Sequence, residues 1–116
     1  MLAISKDYFS TEAEALAKIA EMGWNPLVRD TVLTEDEPLH WHDFESVVFI
    51  ISGVMRLADE EGEVTEVKAG SWFQGKPRRL HRELAGSNYR VAFGFKDKLS
   101  EFTMPINKAP ELLRIG

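Results

Sequence analysis

His40 and His42 stand two residues apart in the run Leu39-His40-Trp41-His42-Asp43-Phe44-Glu45-Ser46, and the third histidine of the chain, His81, lies in Arg78-Arg79-Leu80-His81-Arg82-Glu83. On extended backbone, side chains alternate between faces, so a His-x-His pair projects to one side and both imidazoles can reach a single point. Imidazole nitrogens suit divalent Zn, Fe, Ni or Cu, and three such donors leave positions open for water or a substrate. The bland alternative for the pair taken alone is two ordinary, partly buried histidines. With no cysteine in the chain, disulfides, thiolate ligands and a cysteine nucleophile are excluded, and any metal must sit on nitrogen and oxygen.

Carried forward, the same alternation puts Phe44, Ser46, Val48 and Ile50 on the histidine face and Trp41, Asp43, Glu45 and Val47 on the other. Glu45 becomes a fourth metal ligand only if a bulge shifts the phase by one residue. Glu83, two residues after His81 and so on its face, is the other candidate for that position. For both acids the alternative is a solvated surface carboxylate. Arg79 also shares the face of His81, and its planar guanidinium matches a carboxylate or phosphate bidentately. A basic edge that blocks sheet-to-sheet pairing is the competing reading. Ser46 and Arg79 are thus the expected ligand contacts beside the metal, while Trp41 and Trp72 read as packing residues or subunit contacts.

The elements that must position these groups begin with Thr11-Glu12-Ala13-Glu14, a capping-box pattern that starts a helix over about residues 11–22. Leu16, Ile19, Ala20 and Met22 supply its apolar face, and Gly23 and Pro26 stop it. From Leu27 the pattern turns to β. Val47 to Ile51 is apolar on both faces, Gly53 reads as a turn, and Val54 to Ala58 reads as the returning strand. Val64 to Val67, Trp72-Phe73 and Leu80 to Leu84 follow, and Tyr89, Val91, Phe93 and Phe95 alternate onto one face. Many short strands after one helix predict an antiparallel sandwich or barrel. The 116 residues fit one domain, with a barrel over about 27–96 and a tail over 97–116 that contains Pro105 and Pro110.

The histidine segment and Gly70 to His81 together resemble the two signature motifs of the cupin superfamily. His40 and His42 match the histidine pair of the first motif, Gly53 its closing glycine, Gly70 the opening glycine of the second motif and His81 its histidine. Ser46 stands where that family carries its metal-binding glutamate, with Glu45 one place early. In the second motif Pro77 falls one place late, Arg78 replaces a glycine and Ala85 an asparagine. The resemblance spans about residues 32–95 and implies an all-β, double-stranded β-helix (jelly-roll) barrel with one N-terminal helix. It also implies a metal held by His40, His42 and His81, since three-histidine centres without the glutamate occur among thiol-dioxygenase-like members.

Three functional classes follow: a metal-dependent dioxygenase or isomerase acting on a small acid, a ligand-binding or sensing cupin without chemistry, and a structural cupin without metal. The expected partners are a small-molecule ligand such as a carboxylate and a second copy of the chain in a homodimer. A net charge of −5 argues against nucleic acid, which needs clustered positive charge. Met1 to Ile4 is too short an apolar run for a signal peptide and no membrane-length apolar window exists, so a cytoplasmic protein is expected.

Overall fold

A computed structural model describes residues 4–102 and 106–115, leaving Met1 to Ala3 and Pro105 outside the described residues. The elements are β1 (Ile4–Ser5), α1 (Glu12–Met22), β2 (Asn25–Val32), β3 (Ser46–Asp59), β4 (Val64–Lys68), β5 (Trp72–Gly75), β6 (His81–Glu83), β7 (Asn88–Phe95) and α2 (Pro110–Ile115), with a short 3-10 turn at Leu99–Glu101. All the pairings are antiparallel, as the alternating short strands predict. The described strands join in one sheet of order β1-β5-β3-β7-β2, with β4 and β6 added along the second half of β3. Among the described residues no helix is long and apolar enough to cross a membrane.

The 14-residue strand β3 corrects the expectation of a hairpin at Gly53. Ser46 to Phe49 lie between β5 and β7, and the same strand then runs on to pair with β4 through Val54 to Ala58 and with β6 through Leu57 to Asp59. Between the halves the β3–β7 register slips, Ile50 facing Val91 and Ser52 facing Arg90, so that Ile51 is an extra residue. Such a bulge bends the strand and flips its phase. Ser46 and Val48 face the interior before it, and Met55 and Leu57 after it. A positive φ of 80° at Gly53 makes the bend, and the carbonyl of Asn88 on β7 occupies the place a Cβ would take. The sequence shows a glycine after an apolar run in either case, and only the long-range pairing tells a bend from a turn.

Two apolar layers share β3. Inside the barrel, Val48, Ile50, Met55, Val67, Phe73, Tyr89 and Val91 pack together. Outside it, Val47, Phe49 and Ala92 pack against Phe9, Ala15 and Ile19, so α1 covers the sheet as the capping pattern and its length suggest. Thr11 accepts the Glu14 backbone N–H at 3.1 Å and Gly23 closes the helix in a left-handed conformation. The buried stripe is Ala15, Leu16 and Ile19, whereas Ala20 and Met22, expected on it, face solvent. Met22 is the last helical residue, directly before the Gly23 cap.

Candidate metal centre

His40, His42 and His81 meet inside one end of the barrel. Their ring centroids are 4.5 to 5.1 Å apart, and one ring nitrogen from each lies within 4.8 Å of the others. Backbone pairing brings them together: His40 and His81 exchange both N–H···O bonds at 2.9 Å, and the Arg78 N–H donates to the His42 carbonyl at 2.7 Å. Arg78, which stands in for a glycine, adopts a positive φ of 64°, a conformation that is costly for a side-chain-bearing residue. Its bond to His42 and its guanidinium 5.8 Å from the Trp41 ring centre help hold it there.

Each ring is oriented by a backbone carbonyl on its Nδ1. Pro38 accepts from His40 at 2.7 Å, Arg79 from His81 at 2.8 Å and Ile106 from His42 at 2.9 Å. A carbonyl only accepts, so all three Nδ1 atoms carry the hydrogen, and in the neutral ring the Nε2 lone pair is left as the donor to a metal. Burial lowers the His81 pKa from 6.5 to about 4, with the charges of His40, His42 and Arg79 acting the same way against the bond to the Arg79 carbonyl. Burial lowers that of His42 as well, against the bond to Ile106. Clustered Nε2 donors, fixed tautomers and, at His42 and His81, resistance to protonation fit a divalent cation.

This depression has a stability consequence. The unfolded chain takes up the His81 proton near pH 6.5 and the folded one only near 4. Stability from this ring is therefore fully present above the higher value and is lost as pH falls toward the lower one. For metal-free protein the expected loss is about 2 kcal/mol, discounted from the full linkage value because the ring is partly exposed. Urea titrations of wild type and His81→Gln at about pH 7 and about pH 4.5 should show the shallower acid loss in the variant. Glu83, whose pKa burial raises, acts in the opposite direction and is present in both proteins. Equal acid losses would reject the effect.

The phase survives a bend at Asp43 and Phe44, and His40, His42, Phe44 and Ser46 all line one cavity of about 770 Å³. Arg79, His81 and Glu83 line it too. Ser46 is buried with its Oγ against Gly75, at a point where a Cβ on residue 75 would collide with it. Glu45 lies off this face, its carboxylate 3.8 Å from Lys96, and Glu83 accepts the Tyr89 hydroxyl at 2.6 Å. Neither acid belongs to the group of converging donors, which is the three histidines. Burial also raises the Tyr89 pKa, reinforced by the adjacent Glu83.

Sequence reading missed the C-terminal segment. Lys108 pairs with Trp41 through the backbone in both directions, the Trp41 indole N–H donates to the Ala109 carbonyl at 2.9 Å, and the Ile106 carbonyl holds His42. Phe102 stacks on Phe44 with centroids 4.2 Å apart. Phe102, Ile106 and Leu99 also line the cavity, so the expected tail forms part of its wall at the histidine end. The apolar residues of 99–106 were a usable signal for such packing, whereas the carbonyl acceptors had none.

No protein-family model matches the sequence, and no curated protein is detectably similar to it. Solved structures are similar in fold. A polyketide cyclase from Streptomyces resistomycificus superposes with a TM-score of 0.57 at 16% identity, over 75% of this chain and 60% of its own. A DUF861 family protein from Thermotoga maritima does so with 0.54 at 16% identity, over 82% and 99%. Oxalate decarboxylase from Bacillus subtilis, a protein with Mn(II) centres, gives 0.54 at 18% identity, over 78% and 25%. The chain thus spans about three fifths of the cyclase and a quarter of the decarboxylase.

Proposed function

We propose that this chain, which has the cupin fold, binds one divalent metal through the Nε2 atoms of His40, His42 and His81 and presents it to a small anionic molecule in the barrel. The observation that carries this reading is the set of three carbonyl-bound Nδ1 atoms, which leaves three Nε2 lone pairs for one ion. When bound, the metal supplies a Lewis acid or an oxygen-binding centre, as isomerisation or dioxygenation requires. Three neutral ligands leave its double charge uncompensated, and Arg79 adds another positive charge near His81, so a carboxylate is the favoured ligand group. The Phe44, Phe95 and Phe102 rings pack on one another and give the cavity an apolar wall beside His42.

Elemental analysis tests the reading. Purified protein should carry close to one Zn, Fe, Ni, Cu or Mn per chain. Metal-free protein that also takes up none of these ions would overturn it. A homodimer is also proposed, supported by Val32, 66% exposed on the outer strand β2, and by exposed Tyr8 and Met22. Light scattering should return twice the chain mass, and a monomer throughout the micromolar range would reject the dimer.

A further inference from the structure

We propose that Glu83 and Tyr89 form a second ligand-reading site in the same cavity, which accepts a hydroxyl hydrogen from a ring-bearing acid whose carboxylate lies at the histidines. This rests on the metal reading for the position of the acid end only. The placement follows from the strand: Glu83 is two residues beyond His81 on β6, on the same face and about 6–7 Å along it. Both line the cavity.

The site is built and held. Tyr89 is buried and donates its hydroxyl to Glu83 Oε1 at 2.6 Å, which anchors one oxygen of the carboxylate. The Glu83 backbone is locked on both sides by Glu37, whose Oε1 accepts the Glu83 N–H at 3.1 Å and whose own N–H donates to the Glu83 carbonyl at 2.9 Å. Among the described residues the one side-chain hydrogen bond to this carboxylate comes from Tyr89, while Arg29, which also lines the cavity, acts on it through its charge. A half-buried carboxylate can accept several hydrogen bonds, and leaving its capacity unused is costly in a cavity. A donor arriving with the ligand supplies what the protein does not.

Size and wall chemistry set the rest of the ligand. A volume of about 770 Å³ lies within the range of sites for drug-sized molecules and far exceeds the needs of a two-carbon acid. Phe44, Phe93, Phe95 and Phe102 line it, offering faces and edges to a flat ring. An acid group, a ring and a hydroxyl answer the three kinds of group that line the cavity: the histidines, the phenylalanine rings and the Glu83 carboxylate.

Calorimetric titration of metal-loaded protein with para-hydroxybenzoate, benzoate and para-methoxybenzoate tests this directly. The hydroxylated acid should bind roughly tenfold to a hundredfold tighter than benzoate, the range for a hydrogen bond to a charged group. The methoxy compound, which has no donor, should gain nothing. Glu83→Gln should keep its metal and lose most of the hydroxyl preference. Equal affinities in wild type, no binding of any of the three acids, or a preference that survives Glu83→Gln would overturn the second site. Loss of metal in Glu83→Gln would do so too, because it would make Glu83 a ligand of the ion. The wild-type comparison needs no variant to fold. Metal content of the same sample separates the two readings: a metal-free protein rejects the metal centre, while a full complement with no hydroxyl preference rejects the second site alone.

Discussion

His81→Ala is expected to lower the affinity for a divalent metal by a factor of about a hundred to a thousand. Four-ligand structural zinc sites bind with about 10–16 kcal/mol, so each ligand is worth roughly 2.5–4 kcal/mol, which gives about that factor. His81 is the ring to remove because it alone comes from the second half of the barrel, with centroids 4.5 and 5.0 Å from His40 and His42. Its backbone bonds to His40 do not depend on the side chain, so the variant keeps the strand pairing. Competition against a chromophoric chelator reads the affinity. A change of less than about threefold would mean that two imidazoles, with no help from His81, hold whatever the protein binds.

Gly53→Ala is expected to cost about 3 kcal/mol or more, a large share of the 5–15 kcal/mol that stabilises an ordinary domain. Two penalties add. A φ of 80° is strained for any residue with a Cβ, and the new Cβ would fall on the Asn88 carbonyl of β7, a backbone atom that cannot rotate aside. Relief requires β3 and β7 to separate at their bend, which also loosens Tyr89. Gly62 makes the control. It has a φ of 86° in the turn between β3 and β4 with open space around it, so Gly62→Ala should cost only about 1 kcal/mol. Urea midpoints for the two variants should differ accordingly, and equal losses would show that backbone conformation, not the Asn88 contact, sets the cost.

Period-two alternation made much of this architecture readable, because it depends on nothing but the order of side chains. It put His40, His42, Phe44 and Ser46 on one face, and Tyr89, Phe93 and Phe95 on another that shares the same cavity. It placed Glu45 on the opposite face. Alternation fails where the chain changes phase, and the bulge at Ile51 is such a place: the register shift is a property of β7 lying alongside, and no residue of β3 encodes it alone. The carbonyls that orient the three rings were equally hidden, since every residue has one. Alternation puts Tyr89 on one face with Val91, Phe93 and Phe95, but its bond to Glu83 depends on β6 and β7 both lying beside β3 in space.

β3 has consequences for the order of events during folding. It is the common partner of β4, β5, β6 and β7, and its first half stays open on one edge until β7 arrives. Pairings so distant in sequence close slowly, on the millisecond-to-second scale typical of such topologies. During that interval Val47 to Ile50 form an apolar strand with an unpaired edge, the kind of segment that invites association with other chains. The acceptor for His42, Ile106, follows β7 in the chain, so the histidine cluster gains its full geometry only after the barrel has closed. A metal held by these three rings, as proposed, would then be expected to bind after the barrel has formed and not to nucleate it.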